Sequence, residues 1–160
     1  VVAPSKTEVV RLAGGWLFDQ VMAGWEVWVL TADHTDSRAL RILGARAVDL
    51  DCALTSPVRG PRPEAIAVHA DLYRSDARVR QIVLDALKEG LADVRLWGDW
   101  WPADRDGGVG SVRHRLSVAA RAFKAQALAA AAVPVDSSQA TELFQRGEIP
   151  RSSPRELRTV

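Results

Sequence analysis

The sequence predicts an α/β domain of three layers, a small, mostly parallel sheet of about four strands with helices on both faces. Three observations carry that expectation. Short β-branched runs alternate with helix-periodic runs along the chain, the pattern of strand–helix–strand units. The runs "WEVWVLTA" (25–32) and "AIAVHA" (65–70) are almost continuously apolar, as strands covered on both faces are. Gly24, Gly44 and Gly90 each close a helix-periodic run, where glycine accepts the left-handed backbone of a helix end.

The first helix starts at Ser5, where "SKTE" has the form of a capping box with Glu8 reaching back to the cap. Val9, Leu12, Ala13, Trp16, Leu17 and Val21 follow at helical spacing, and Phe18 and Met22 widen the apolar face. Such a helix is expected to be deeply buried. Trp25 and Trp28 then open the first strand and count as core. A short helix capped by Thr35 or Asp36 leads to a strand over 46–50, and the proline-rich 51–63 reads as an irregular connection.

After the 65–70 strand, Ser75 is expected to cap a helix with Val79, Ile82, Val83, Ala86 and Leu87 on its core face. A strand follows over 93–98. The segment "DWWPADRDGGVG" (99–110) is too rich in Pro and Gly to be regular. A long helix is expected from Ser111 to about Ala132, with a short helix near 137–146. The first 135 residues form the domain, and 136–160 hold that short helix and a weakly ordered tail. Right-handed crossovers put the 25–32 strand near the centre of the sheet.

The chain has 160 residues, 48% hydrophobic and 26% charged, which suits one domain with a real core. A net charge of +1 without a basic stripe argues against nucleic acid as a partner. No apolar run is long enough to insert in a membrane. Cys52 is the only cysteine, so a reduced, cytoplasmic setting is the simpler reading. The start "VVAPSKTE" lacks a Met and a leader pattern, as expected of a domain excised from a longer protein.

Chemistry is thinly signalled. Ligands of open parallel sheets bind beyond the carboxyl ends of the strands, where the sequence places Asp33, His34, Asp71 and Asp99. These form the candidate site for a nucleotide or phosphorylated ligand. Asp at such ends also serves as a turn or helix cap. No serine has a nucleophile-elbow context, "GGVG" (107–110) matches no phosphate loop, and three scattered histidines make no zinc pattern. Cys52 reads as a buried bystander and His114 as a solvated residue. Neither a catalytic residue nor a metal site nor a cofactor is assigned.

The aromatic residues point to a different class of function. Trp97, Trp100 and Trp101 cluster at a turn, and the alanine-rich helix beyond them offers a shallow apolar trough with Val112 and Leu116 beside it. These five residues are the candidate protein-binding surface, since tryptophan is enriched among interface hot spots. Arg113, Arg115, Arg121 and Lys124 are expected on the solvated side of that helix.

The arginine- and alanine-rich α/β pattern and the opening "GGWLFDQVMAGWEVWVLTAD" (14–33) resemble the C-terminal domain of mycobacterial SatS-type protein-export chaperones of the accessory SecA pathway. The resemblance implies a cytoplasmic domain that binds unfolded or partly folded export substrates in apolar grooves and prevents their aggregation. It transfers no individual residue.

Overall fold

The computed structural model describes residues 1–33, 36–55, 63–90, 93–98, 111–134 and 140–146. The elements run β1 (Val2–Ala3), α1 (Lys6–Met22), β2 (Trp28–Thr31), α2 (Arg38–Ile42), β3 (Arg46–Asp49), α3 (Leu50–Thr55), β4 (Ala65–His69), α4 (Ala70–Ser75), α5 (Ala77–Lys88), β5 (Asp93–Trp97), β6 (Ser111–Arg115), α6 (Val118–Ala130) and β7 (Thr141–Arg146). The α/β class holds, with seven strands among the described residues in place of about four, in the order β3-β2-β1-β4-β5-β7-β6. The first five strands are mutually parallel; β7 is antiparallel to both of its neighbours.

Helix α1 is the centre of one layer. Ser5 Oγ accepts the Glu8 amide at 3.2 Å, so the cap forms as expected. The reciprocal half of the box does not, because the Glu8 carboxylate takes Arg11 at 2.9 Å instead. Every residue from Ala13 to Phe18 is buried, more than one face of a helix can account for. The sheet lies on one side of α1, with α2 and α6 packed against it. Gly15 permits that approach, since a Cβ there would stand 2.4 Å from Leu116 Cδ2. The core of this layer joins Trp16, Leu17, Phe18, Leu40, Trp97 and Phe144.

The opposite layer is smaller and aliphatic. Val2, Val68 and Val94 of the sheet meet Leu50 of α3 and Val79 and Val83 of α5. Asp76, and not Ser75, caps α5, accepting the Arg78 amide at 2.8 Å and the Val79 amide at 3.4 Å. Ser75 ends α4 and donates to the Asp71 carbonyl. Ile82 is exposed and lies outside the expected core face.

Four further expectations are corrected. Residues 51–55 continue α3 instead of opening an irregular connection. The long helix divides: "SVRHR" alternates as a strand does and pairs with β7, and the helix begins only after Ser117, whose Oγ accepts the Ala120 amide at 2.9 Å. The expected short helix near 137–146 is strand β7, which brings residues 141–146 into the sheet beyond the expected limit at 135. The 25–32 strand starts later, at Trp28, and lies one place from an edge; the two-residue β1 takes the middle place among the five parallel strands. Trp25 and Trp28 precede the covered part of that strand and are 42% and 44% exposed, with Trp28 stacked under Arg46.

Candidate functional site

The strand order reverses between β1, which continues to β2, and β4, which continues to β5. Beyond the carboxyl ends at such a reversal a doubly wound sheet opens the crevice where ligands bind. The first turn of α1 places Lys6 and Glu8 there, β2 leads into Asp33, and β4 ends in His69.

Asp33 is committed to α1. Its Oδ2 accepts the Lys6 amide at 2.6 Å, while the buried Lys6 ammonium donates to the Asp33 carbonyl at 2.7 Å and to Oδ1. A helix N-terminus attracts an anion because its first amides and its dipole face outward. Here the chain's own carboxylate takes that position, where a phosphate of a ligand would otherwise sit.

His69 is buried at the end of β4. Its Nδ1 accepts the Asp71 amide at 3.2 Å, which assigns the ring proton to Nε2, 3.9 Å from Glu8 Oε2. The ring stands edge-on to Trp97 with centroids 4.8 Å apart. A Cβ at position 98 would come within 2.9 Å of His69 Nε2, so Gly98, with φ +125°, fits against the imidazole. Asp71 is exposed beside Arg74. Asp33, Asp71 and His69 thus lie around the same reversal, whereas His34 and Asp99 lie outside the described residues. No group of three or more His, Cys, Asp and Glu among the described residues could hold a metal ion.

Among the described residues, Thr31 Oγ1 and Trp97 Nε1, at the carboxyl ends of β2 and β5, are buried without a hydrogen-bond partner, as is Trp16 Nε1 on α1. Such groups carry an unrecovered desolvation cost. Cys52 is exposed, not buried, and a hydrogen bond with Asp49 holds its thiol above its ordinary value. That opposes thiolate formation and any nucleophilic use.

The expected protein-binding residues fall on the interior. Trp97 is 3% exposed and Leu116 5%, both in the core around α1. Val112 is partly buried against the same core. These three therefore line no open groove; Trp100 and Trp101 lie outside the described residues.

The exposed apolar surface lies elsewhere. Val118 is 75% exposed, Met22 69% and Phe123 45%, with the Phe123 ring stacked on buried Phe18 at 4.5 Å. Ala119 and Ala122 extend this outward side of α6. The sequence held a signal for it: "VAARAFKAQALAA" has only two charged residues, too few for an ordinary solvated helix. One of those two is not solvated either. Lys124 is buried and donates to Glu142 Oε1 at 2.6 Å. Glu142 also accepts the Gly15 amide at 2.9 Å and the Trp16 amide at 2.7 Å, which ties β7 to the middle of α1.

His114 is likewise engaged. Its Nε2 donates to Asp19 Oδ2 at 2.8 Å, and the Ser117 amide donates to the same oxygen. Burial alone would raise the Asp19 carboxyl, but hydrogen bonds from Ser117 and His114 outweigh it and hold the group below its ordinary value.

Among the described residues, no helix is long and apolar enough to cross a membrane. Comparison with protein-family models, with curated proteins and with solved structures finds no match.

Proposed function

We propose that this is a non-enzymatic protein-binding domain of chaperone type, cytoplasmic, that holds unfolded or partly folded clients, export substrates among them, and keeps them from aggregating. The observation that supports the reading is the apolar outward side of α6, with Val118, Ala122 and Phe123 in contact with solvent. Contiguous exposed apolar side chains on a folded domain mark interaction sites. Hydrophobic attraction is non-directional, so such a surface accepts varied client side chains. On this reading the outside of α6 and the end of α1, and not the buried Trp97 and Leu116, would meet the client.

The test is suppression of aggregation of a chemically unfolded client, comparing the parent chain with Val118→Lys/Ala122→Lys. Both positions are exposed, so the thermal midpoint should stay near that of the parent. Loss of suppression with an unchanged midpoint is the expected result. Full suppression by the variant would remove this surface from the function.

A second reading has its own support. A regulatory or enzymatic domain binding a small ligand at the strand reversal would give the buried Trp97 Nε1 and Thr31 Oγ1 the partners they lack among the described residues. The capture of the α1 N-terminus by Asp33 weighs against a phosphate in its usual seat. A thermal-shift panel of nucleotides, sugar phosphates and uncharged polar metabolites decides it. A true ligand at a hundredfold excess over its dissociation constant adds about 2.7 kcal/mol.

A further inference from the structure

Among the described residues, strand β6 ends the sheet, bonded to β7 on one side only, with no strand beyond it. Its five residues pair in unbroken register with β7: Ser111 with Gln145, Val112 with Phe144, Arg113 with Leu143, His114 with Glu142, Arg115 with Thr141. Directly opposed residues share a face of the sheet. Phe144 and Glu142 point into the core around α1, so Arg113, Arg115 and Leu143 lie on the other face. Both arginines are exposed and Leu143 is 60% exposed. Neither arginine has an ion-pair partner among the described residues, in contrast to Arg46 at the opposite edge, which meets Glu26 at 2.6 Å.

We propose that β6 is a docking edge for an extended acidic segment of a partner protein, added as an eighth strand. Main-chain hydrogen bonds to the open side of β6 supply the attachment, and alternate side chains supply the choice of partner. The segment carries Asp or Glu at two positions two residues apart, opposite Arg113 and Arg115, with apolar residues alternating between them on the Val112 face of the sheet. The spacing follows from the strand period, which returns every second side chain to one face. Charged residues on an edge strand ordinarily prevent indiscriminate pairing. The two guanidiniums on one face, without an ion-pair partner among the described residues, reject basic strands and leave neutral ones uncompensated, so the same charges that protect the edge select an acidic occupant. This surface is separate from the outward side of α6 and does not depend on the chaperone reading.

The probe is a short labelled peptide of alternating Glu and Val, compared with its isomer carrying Lys for Glu, by fluorescence anisotropy with the full chain at low salt. The Glu peptide is expected to bind and to weaken as salt rises; the Lys peptide is expected not to bind. Arg113→Glu/Arg115→Glu should weaken the Glu peptide by about tenfold or more and transfer binding to the Lys peptide. Arg113→Gln/Arg115→Gln, which adds no repulsive charge, should give an intermediate loss and carries the test if the reversed variant does not fold. Amide hydrogen exchange on the complex should slow at residues 111–115. Equal binding of both peptides, indifference to either double variant, or protection confined to α6 would each overturn the proposal.

Discussion

The two helical layers of this domain bury their cores by opposite means. Around α1 the core is aromatic, holds the Lys124–Glu142 ion pair, and is covered by a helix whose outward side is itself apolar. Across the sheet, five valines and one leucine suffice, and α5 turns Arg78, Gln81, Asp85 and Lys88 to solvent. The second layer obeys the usual rule for a surface helix, with one apolar stripe and a charged remainder. The first does not. Its α1 is an interior helix, and α6 carries apolar side chains both toward α1 and away from it. The difference separates a layer whose outer helix turns mostly polar side chains to solvent from one whose outer helix leaves apolar side chains exposed.

Substitutions can break that contrast, beginning with the buried charges. Glu142→Ala leaves the Lys124 ammonium buried and removes an acceptor from the Gly15 and Trp16 amides, so urea unfolding should record a loss of about 3–5 kcal/mol. A loss near zero would mean that water reaches Lys124 freely. Gly15→Ala sets a methyl against Leu116 and should cost about 1–3 kcal/mol by overpacking; pairing it with Leu116→Ala should recover part of that, as measured by a double-mutant cycle. In the opposite layer, Asp76→Ala removes the cap of α5 and should cost only about 1 kcal/mol in the same experiment.

The smallest effect is on acid sensitivity. Asp19 is held below its ordinary value by Ser117 and His114 against the effect of burial, and Asp76 is lowered to about 2 by its hydrogen bond with Arg78. A carboxyl depressed in the folded state adds stability that is complete above its unfolded value, about pH 4, and is lost as pH falls through the folded value. Denaturation midpoints should therefore fall between about pH 4 and 2. Asp19→Asn should flatten the Asp19 share of that slope and leave the Asp76 share in place. Identical slopes in parent and variant would show that the Asp19 contacts do not persist in solution.

Much of the fold was readable where a residue's role is local. Ser5 declares the start of α1 by its own hydroxyl, and Gly44 and Gly90 stop helices by accepting φ near +80°. The four apolar strand runs were recognisable as well. Residues whose role depends on a distant neighbour were not. "SVRHR" and "TELFQR" are ambiguous alone and became strands by pairing with each other across 26 or more residues. Lys124 and His114 looked solvated because Glu142 and Asp19, the acids that bind them, are distant in sequence. Trp97 and Trp25 exchanged roles for the same reason, one reached by His69 and α1, the other left at the open end of β2.

By itself, then, the sequence determined the α/β class, helices α1 and α5 and four of the five parallel strands, because those follow from side-chain period and backbone preference within a few residues. Only the tertiary structure decided the seven-strand order, the seating of Asp33 on α1 and the burial of Lys124 against Glu142. It also decided which apolar residues remained outside. Those outcomes depend on long-range pairing and desolvation, whose energies are settled by partners that no local stretch of sequence contains.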